Sequence, residues 1–377
     1  MKTKLIIFIS LLFILTGCYN YSELNELAIA NGISIDYKDN KYIVSILMAN
    51  SHKDTNNTSE NQASTSLFQG EGSTIDEAIT SLELTLPKKL YLGHVNIIVL
   101  DYNYAEKGLY DFFDYATKNS ELIKKLCVVI SKDTEAYKVL ATLSPLEMFS
   151  SKNIITNIDT TNKSVGTIYN VKLSEVLYKY LEKGMEFIIP TVTIKGSSDD
   201  AIKEDNIKDP ISKAHLNVLT FSIFKNDKIV DIVSINESKG INILTNKTTN
   251  LKIMKDNYSA TLNSIKCKLD YKDNKINIKV KFSYVINSIK DIDITNKNEK
   301  DKLTKEIERE VHSYIKEAID ITVNKNTDSI GFGNLIYKHK PKYYESIKDD
   351  YLNNLDFNIK VKGSLESIGV AKNIKEK

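Results

Sequence analysis

Val95-Asn96-Ile97-Ile98-Val99-Leu100 is the stretch that decides the fold of the first half of the chain. Apart from Asn96 the run is apolar, and a run of this kind is typical of a strand that is buried on both faces. Such strands belong to sheets that helices cover on both sides. The segments around the run alternate between strand and helix patterns, which predicts a mixed α/β N-terminal domain.

Regular patterns continue on both flanks of this run. Upstream, Thr74 and Glu77 have the spacing of a capping box, which predicts the first turn of a helix. Downstream, Gly184 follows an apolar-periodic segment and predicts a helix end. The predicted strands 28–36 and 41–48 flank a turn at Asp39-Asn40, and a polar loop follows at 50–72. After it, in chain order, the predicted elements are a helix at 74–86, the strand at 95–100, a helix at 104–118, a strand at 126–130, helices at 134–143 and 171–183, and a strand at 187–194.

The second half has the patterns of an antiparallel sheet. Residues 196–210 are rich in Ser, Asp, Lys and Asn without periodicity, so we expect a linker at 196–211 between an N-terminal domain at 18–195 and a C-terminal domain at 212–370. The C-terminal domain is predicted to be a mainly antiparallel sheet with a long amphipathic helix, which makes the class α+β and multi-domain. Its predicted elements are hairpins at 216–224 with 228–235 and at 262–271 with 275–286, a helix with apolar positions at Leu303, Ile307, Val311, Tyr314, Ala318 and Ile321, and a closing strand at 355–365.

The amino terminus has the pattern of a secretory signal. Basic residues precede an apolar run at 5–15, which is too short to cross a bilayer as a permanent helix. Leu15-Thr16-Gly17-Cys18 closes the run, and a cysteine directly after small residues is the signature of a bacterial lipoprotein. We therefore expect removal of residues 1–17 and a diacylglycerol thioether on Cys18, with or without a further acyl chain on its amino group. The alternative is an ordinary secretory signal followed by a chance cysteine.

Composition and charge limit the classes of partner. Hydrophobic residues make up 42% and charged residues 27% of the chain, as in ordinary globular proteins. The formal charge is +2, from 51 basic and 49 acidic residues, and it becomes zero without Lys2 and Lys4 because 51 − 2 = 49. A chain of zero net charge has no general attraction to nucleic acid or anionic lipid. We expect no nucleic-acid partner, and we expect membrane residence to come from the lipid on Cys18.

Two further cysteines, Cys127 and Cys267, lie in apolar strand-like runs that we assign to different domains. Two buried free thiols are expected. A disulfide between them remains open, because a secreted chain can form one.

Motifs that carry chemistry are sparse. The five histidines (His52, His94, His215, His312 and His339) have no metal-ligand spacing, and His94 is expected to be a hydrogen-bonded structural residue. There is no phosphate-binding or nucleophile motif, and Asp291 with Asp293 is a weak acidic pair in a polar loop. Gly331-Phe332-Gly333 is interpreted as a turn that needs positive φ or close backbone approach, with Phe332 as a core side chain. No catalytic, cofactor or metal residue is predicted, so a non-enzymatic binding module is favoured.

Several stretches, in order along almost the whole chain, are similar to one family. They are the opening 17–27 with 32–36, Gly72-Ser73-Thr74-Ile75-Asp76-Glu77-Ala78, Gly93-His94 with the strand after it, Phe224-Lys225-Asn226-Asp227-Lys228-Ile229-Val230, Glu237-Ser238-Lys239-Gly240, and Asp328-Ser329-Ile330-Gly331-Phe332-Gly333 with Pro341. Together they resemble the Ger(x)C family, the lipoprotein C subunits of spore germinant receptors. The chain departs from that family in having no tryptophan, and Tyr19 stands where the opening tryptophan usually is.

The resemblance implies a three-domain α+β architecture with a small middle segment at 212–255. It also implies partners, namely the membrane-embedded A and B subunits of a receptor at the outer face of the spore inner membrane. The function implied is that of a lipid-anchored receptor subunit required for nutrient-triggered germination. A solute-binding lipoprotein of an uptake system is the first alternative, although the antiparallel second half argues against it. A cell-wall hydrolase is the second, and the missing catalytic motifs argue against that.

Overall fold

A computed structural model describes residues 23–50, 65–122, 124–290, 292–294 and 296–368. The first of its two sheets has nine strands in the order β3-β2-β1-β5-β6-β7-β8-β9, with β4 paired to β1. Its strands are β1 (Leu27–Lys38), β2 (Lys41–Ala49), β3 (Thr65–Gly72), β4 (Lys89–Tyr91), β5 (Ile97–Asp101), β6 (Cys127–Ser131), β7 (Ile188–Lys195), β8 (His215–Lys225) and β9 (Lys228–Ile232).

The central strands of this sheet are parallel. β1, β5, β6 and β7 run in one direction, while β2 and β8 are antiparallel to their neighbours. Every residue of β5 and β6 is buried, so the strand predicted from the run at 95–100 is confirmed. The turn at Asp39-Asn40 is confirmed too, since both residues have positive φ, at 52° and 61°.

Helices lie on both faces of the first sheet. Helix α1 (Ile75–Glu83) approaches β3 so closely that a Cβ at Gly72 would lie 2.4 Å from the amide nitrogen of Ala78. On the other face, a Cβ at Gly32 of β1 would lie 2.7 Å from Leu140 of helix α4 (Ala136–Ala141). These helices and those that follow are α1 (Ile75–Glu83), α2 (Tyr102–Lys107), α3 (Tyr110–Lys118), α4 (Ala136–Ala141), α5 (Ser150–Ser164), α6 (Leu173–Leu181), α7 (Ser198–Ala201), α8 (Asp205–Lys208) and α9 (Ile235–Leu244).

The second sheet has the order β10-β11-β12-β13, and one long helix packs on its inner face. Three strands are antiparallel, and β13 is added parallel to β12. The strands are β10 (Leu251–Met254), β11 (Tyr258–Lys272), β12 (Lys275–Ile289) and β13 (Asp356–Ile368). The helices are α10 (Lys297–Asn324), α11 (Phe332–His339) and α12 (Pro341–Ile347), and short 3-10 turns lie at Leu24–Glu26 and Tyr351–Asn354. The α+β class is confirmed.

Three sequence-based expectations need correction. The polar loop at 50–72 is wrong over its last part, because Thr65–Gly72 forms β3 and pairs with β2 along its whole length. The single helix at 104–118 is two helices, since Gly108 has φ 130° and the carbonyl of Asp227 accepts the amide of Leu109. Helix α5 has no counterpart in the predicted elements, because its sequence is mostly Ser, Thr, Asn and Lys around a few isoleucines.

The linker at 196–211 between two domains remains a prediction, but the structure shows which strands this segment connects. The segment joins β7 to β8, which are antiparallel neighbours in the same sheet. The hairpin of β8 and β9 therefore completes the first sheet, although the sequence analysis assigned it to the C-terminal domain.

Candidate functional site

The lipidation site predicted at Cys18 lies outside the described residues, as do His52 and Asp291. Among the described histidines, His94 is exposed, and its ring is edge-on to Tyr91 with 5.8 Å between centroids. In the part of the chain that the structure describes, no three His, Cys, Asp or Glu side chains are grouped so that they could hold a metal ion.

A cleft of about 710 Å³ opens outside the carboxyl ends of β1, β5 and β6. Ligands of open α/β sheets bind at this edge, because the strand ends and the loops after them converge there. The lining consists of carboxylates, amides, tyrosines and lysines, with one threonine and one isoleucine: Asp36, Tyr37, Lys38, Ile43, Gln69, Glu71, Asp101, Tyr102, Asn103, Lys132, Asp133, Thr134, Glu135 and Tyr137.

Asp36 at the end of β1 is the most perturbed acid of this cleft. Its carboxylate accepts the backbone amides of Ala136 at 2.6 Å and Tyr137 at 3.2 Å, where helix α4 begins. Burial raises the pKa of Asp36 to about 7. The bond from Ala136 lowers the pKa, and the negative charge of Asp101 adds to the rise. The side chain therefore caps a helix and changes its charge close to neutral pH.

Asp101 ends β5 in the same way. Its side chain accepts the amide of Tyr104 at 3.2 Å in the first turn of α2, and burial raises the pKa of Asp101. Nearby, the ammonium group of Lys132 lies 3.4 Å from the centre of the Tyr102 ring, in a cation–π contact. Both central carboxylates thus have structural partners. Among the described residues, the lining includes no histidine, serine or cysteine, and its one aliphatic hydroxyl is that of Thr134.

A second cleft of about 440 Å³ lies at the same edge, on the side of the sheet that α1 and α3 cover. Tyr42 of β2 lines it and donates its hydroxyl hydrogen to Asp111 of α3. The two clefts are neighbours. Tyr42 pairs with Tyr37 of β1, which lines the first cleft, and the centres of the two rings are 5.0 Å apart.

The Gly331-Phe332-Gly333 segment forms the turn that the sequence predicts. Gly331 has φ 95°, and Phe332 is fully buried with its ring 5.1 Å from that of Phe357. Buried Asp328 holds the turn, because its carboxylate accepts the amides of Gly331 and Gly333 and the hydroxyl of Tyr351, each at 2.7 Å. The segment is structural, as expected.

The same turn joins the two halves of the chain. Gly184 (φ 71°) accepts the amide of Asn334 at 2.7 Å, and a Cβ on Gly184 would lie 2.4 Å from the carbonyl carbon of Gly333. The amide of Glu186 donates to the carbonyl of Asp328 at 2.8 Å. We call the contact between 182–186 and 328–334 the junction. Gly184 and Gly333 are both recognisable as turn residues in the sequence, but no local pattern indicates that they are in contact.

The two remaining cysteines are buried free thiols, as predicted. Cys127 lies in β6 of the first sheet and Cys267 in β11 of the second. Burial raises the pKa of both thiols, in Cys267 to about 12, so neither has the lowered pKa of a reactive cysteine.

No helix among the described residues is long and apolar enough to cross a membrane. Residues 20–194 match the model described as spore germination protein N-terminal domain, and residues 221–369 match the model described as spore germination B3/GerAC like, C-terminal. The chain belongs to the Ger(x)C family of spore germination proteins.

Individual relatives agree with this assignment. The chain is 25% identical to spore germination protein KC of Bacillus subtilis over 96% of this chain and 94% of that protein. It is 24% identical to the putative spore germination protein YfkR of the same organism, over 58% of this chain and 54% of that protein. The crystal structure of the GerBC protein has the same fold, with a TM-score of 0.52 at 14% identity over 92% of this chain and 100% of that one. The family assignment supports a role in spore germination.

Proposed function

We propose that this chain is a lipid-anchored, non-enzymatic subunit of a nutrient germinant receptor, at the outer face of the spore inner membrane. The observation that carries the proposal is the match of two germination-protein models in order along the chain, over residues 20–194 and 221–369. The full-length similarity to spore germination protein KC supports it. The partners proposed are the membrane-embedded A and B subunits that the family resemblance implies.

The anchor is proposed to be the lipid on Cys18. The mature chain has no net charge once Lys2 and Lys4 are removed, and its described helices are not suited to cross a bilayer. A diacylglycerol supplies two acyl chains, and two chains give stable attachment where one gives only marginal binding. The run Leu15-Thr16-Gly17-Cys18 is the sequence feature on which this part of the proposal depends.

The non-enzymatic role is supported by the chemistry of the described residues. The central carboxylates of the larger cleft cap helices, and both described thiols have raised pKa values. These groups hold the fold and are not arranged as an acid, a base or a nucleophile.

The proposal is tested with spores that carry Cys18→Ala in place of the native chain. We expect the variant to be lost from the inner-membrane fraction and nutrient-triggered germination to slow or stop, while the total amount of the protein before fractionation shows that it was made. The matched control is Cys127→Ala, which leaves the lipid site intact. A Cys18→Ala protein that stays on the membrane after a high-salt wash would contradict the lipid anchor.

A further inference from the structure

The outer face of the second sheet carries a regular array of lysines. Strand pairing places Lys266 beside Lys281, and Lys281 beside Lys362, in one row across β11, β12 and β13. The next row, two residues along each strand, consists of Lys268, Lys279 and Lys360. All six side chains are exposed. We call these two rows of three the lysine array.

The inner face of the same strands explains why the array points outward. The residues that alternate with the outward ones along β12, such as Val280 and Phe282, are buried. Tyr284 on the same inner face forms a hydrogen bond with Thr304 of α10 at 2.7 Å. Since successive side chains in a strand point to opposite faces, the lysines must face away from α10. A bulge at Ser264, where φ is 51°, shifts the register so that the lysines of β11 fall opposite those of β12.

The array places like charges side by side. Neighbouring strands are about 4.8 Å apart, and alternate residues of one strand are about 7 Å apart. Like charges directly opposite each other destabilise a sheet. In the described part of the chain, no acid or hydrogen-bond acceptor pairs with any of the six side chains. Two rows further along the strands, Lys275 does pair with an acid, Asp356, at 3.3 Å, so the face can form ion pairs where an acid stands opposite a lysine.

The chemistry around the array selects among anionic partners. The outward row on one side of the array consists of Asp270, Asn277 and Asn358, and on the other side Ser283 donates to Glu366 at 2.8 Å, so an acid lies at each end of the array but none lies within it. None of the described outward residues on this face is aromatic. Protein interfaces are enriched in aromatic residues and arginine and depleted of lysine. Single-stranded nucleic acids need aromatic platforms for their bases. Neither of the two clefts described above lies on this face, and the single arginine of the sequence, Arg309, belongs to α10, so the described part of this face offers no forked guanidinium group to bind one phosphate.

We propose that the lysine array binds the surface of an anionic lipid bilayer. A flat sheet face with flexible, point-charged ammonium groups suits many headgroups at once, because the attraction is electrostatic and needs no defined geometry. The zero net charge of the mature chain does not oppose this, since surface attraction falls off within a Debye length and therefore depends on the local charge. The contact is additional to the lipid on Cys18 and does not require it.

Vesicle co-sedimentation tests the proposal on the chain from residue 19 onward, which has no lipid and contains every described residue. The probes are vesicles of phosphatidylcholine alone and of equal parts phosphatidylcholine and phosphatidylglycerol. We expect binding to the anionic vesicles only, and its loss when the ionic strength is raised from about 0.1 M to about 1 M, where the Debye length falls from about 10 Å to about 3 Å.

Two matched triple variants locate the contact. Lys268→Gln with Lys279→Gln and Lys360→Gln removes one row, and it should weaken binding about 10- to 100-fold, because each lysine near an anionic surface contributes separately. Its melting temperature should stay the same or rise, since like-charge repulsion is relieved. Lys163→Gln with Lys195→Gln and Lys305→Gln makes the same change in net charge at exposed sites elsewhere, and should bind as the parent chain does.

Three results would overturn the proposal. They are equal binding to neutral vesicles, equal loss in both triple variants, and absence of vesicle binding. If the parent chain fails to bind vesicles but binds a receptor subunit through the array, the partner is a protein surface and the lipid proposal is wrong.

Discussion

Gly184 and Asp328 are the residues at which a substitution is least tolerated, because they lie tightly packed where the two halves of the chain meet. Asp328 is fully enclosed and uses its carboxylate for two amides and one hydroxyl. A buried carboxylate is costly unless it is hydrogen-bonded in this way, so the network also determines where the turn after α10 must lie. Gly184 faces the backbone of Gly333 directly, with no room for a side chain.

Gly184→Ala is expected to destabilise the protein by more than about 1 kcal/mol, because alanine is strained at positive φ and its Cβ would meet backbone atoms that cannot move aside. Thermal unfolding of the purified chain measures the effect. Gly93→Ala is the matched control, since Gly93 lacks positive φ and its close neighbour is the movable ring of Tyr91. Equal melting temperatures for Gly184→Ala and the parent chain would show that the junction is loosely packed.

Asp36 gives a pH dependence whose sign follows from its pKa. The pKa is raised from 3.8 to about 7 in the folded chain, so the folded state holds this proton more tightly than the unfolded state does. The stability that the proton contributes is present at low pH and is lost as pH rises from about 4 to about 7.

Asp36→Asn should therefore gain stability relative to the parent chain as pH rises from 5 to 8, because it removes this titration. The measurement is the difference in melting temperature between the two proteins at each pH. Asp256→Asn, at an exposed loop position, is the control and should show no such trend. A difference for Asp36→Asn that is constant with pH would contradict the assignment.

At the scale of helices and strands, the sequence indicates which side of a strand faces the core better than it indicates which strands pair. Alternation in the sequence of β12 indicates its core face correctly, because Ile276, Ile278 and Val280 are buried and the period of a strand is two residues. The register of β11 against β12 depends on the bulge at Ser264, and nothing local in the sequence reports it. Helix α5 and strand β3 were missed for a related reason. Their polar sequences are stabilised by tertiary contacts, which override local propensity.

Candidate sites also differ in how far the sequence alone reveals them. The lipid attachment at Cys18 can be predicted from sequence because its signal is a contiguous motif, whereas the larger cleft assembles Asp36, Asp101 and Lys132 from three strand ends that are far apart in the chain. The lysines of the array are visible as alternating residues in each strand. Only the strand pairing shows that they form rows.

The edge of β11 near Cys267 is covered by a side chain where β10 does not reach. Beyond the end of β10, the side chain of Asn246 takes the place of a neighbouring strand, because its amide bonds both the N–H of Cys267 at 2.7 Å and its carbonyl at 3.0 Å. Asn246→Gly keeps the positive φ of 55° without strain but removes both bonds. We expect a loss of about 1–2 kcal/mol from the two unpaired backbone groups.

Urea unfolding of the purified chain measures that loss. Asn226→Gly is the control, because Asn226 also has positive φ, at 53°, and lies in the hairpin turn between β8 and β9. If both substitutions have the same small effect, the side chain of Asn246 does not stabilise the edge.

For the whole molecule, the fold separates three features. The clefts lie at the carboxyl edge of the first sheet, the lysine array lies on the outer face of the second, and the junction connects the two halves through backbone contacts. If the array binds a membrane as proposed, the second sheet would lie against the bilayer and the clefts of the first sheet would remain available to partners. Such a placement fits the proposed role as a subunit of a germinant receptor.

Affinity purification of the tagged chain from detergent-extracted spore membranes tests that proposed role most directly. We expect two membrane-embedded proteins, the A and B subunits, to co-purify in amounts comparable to the chain, and the Cys18→Ala variant to recover less of both. Recovery of an ATPase with a permease would identify an uptake system instead, and recovery of the chain alone in mild detergent would contradict the receptor assignment.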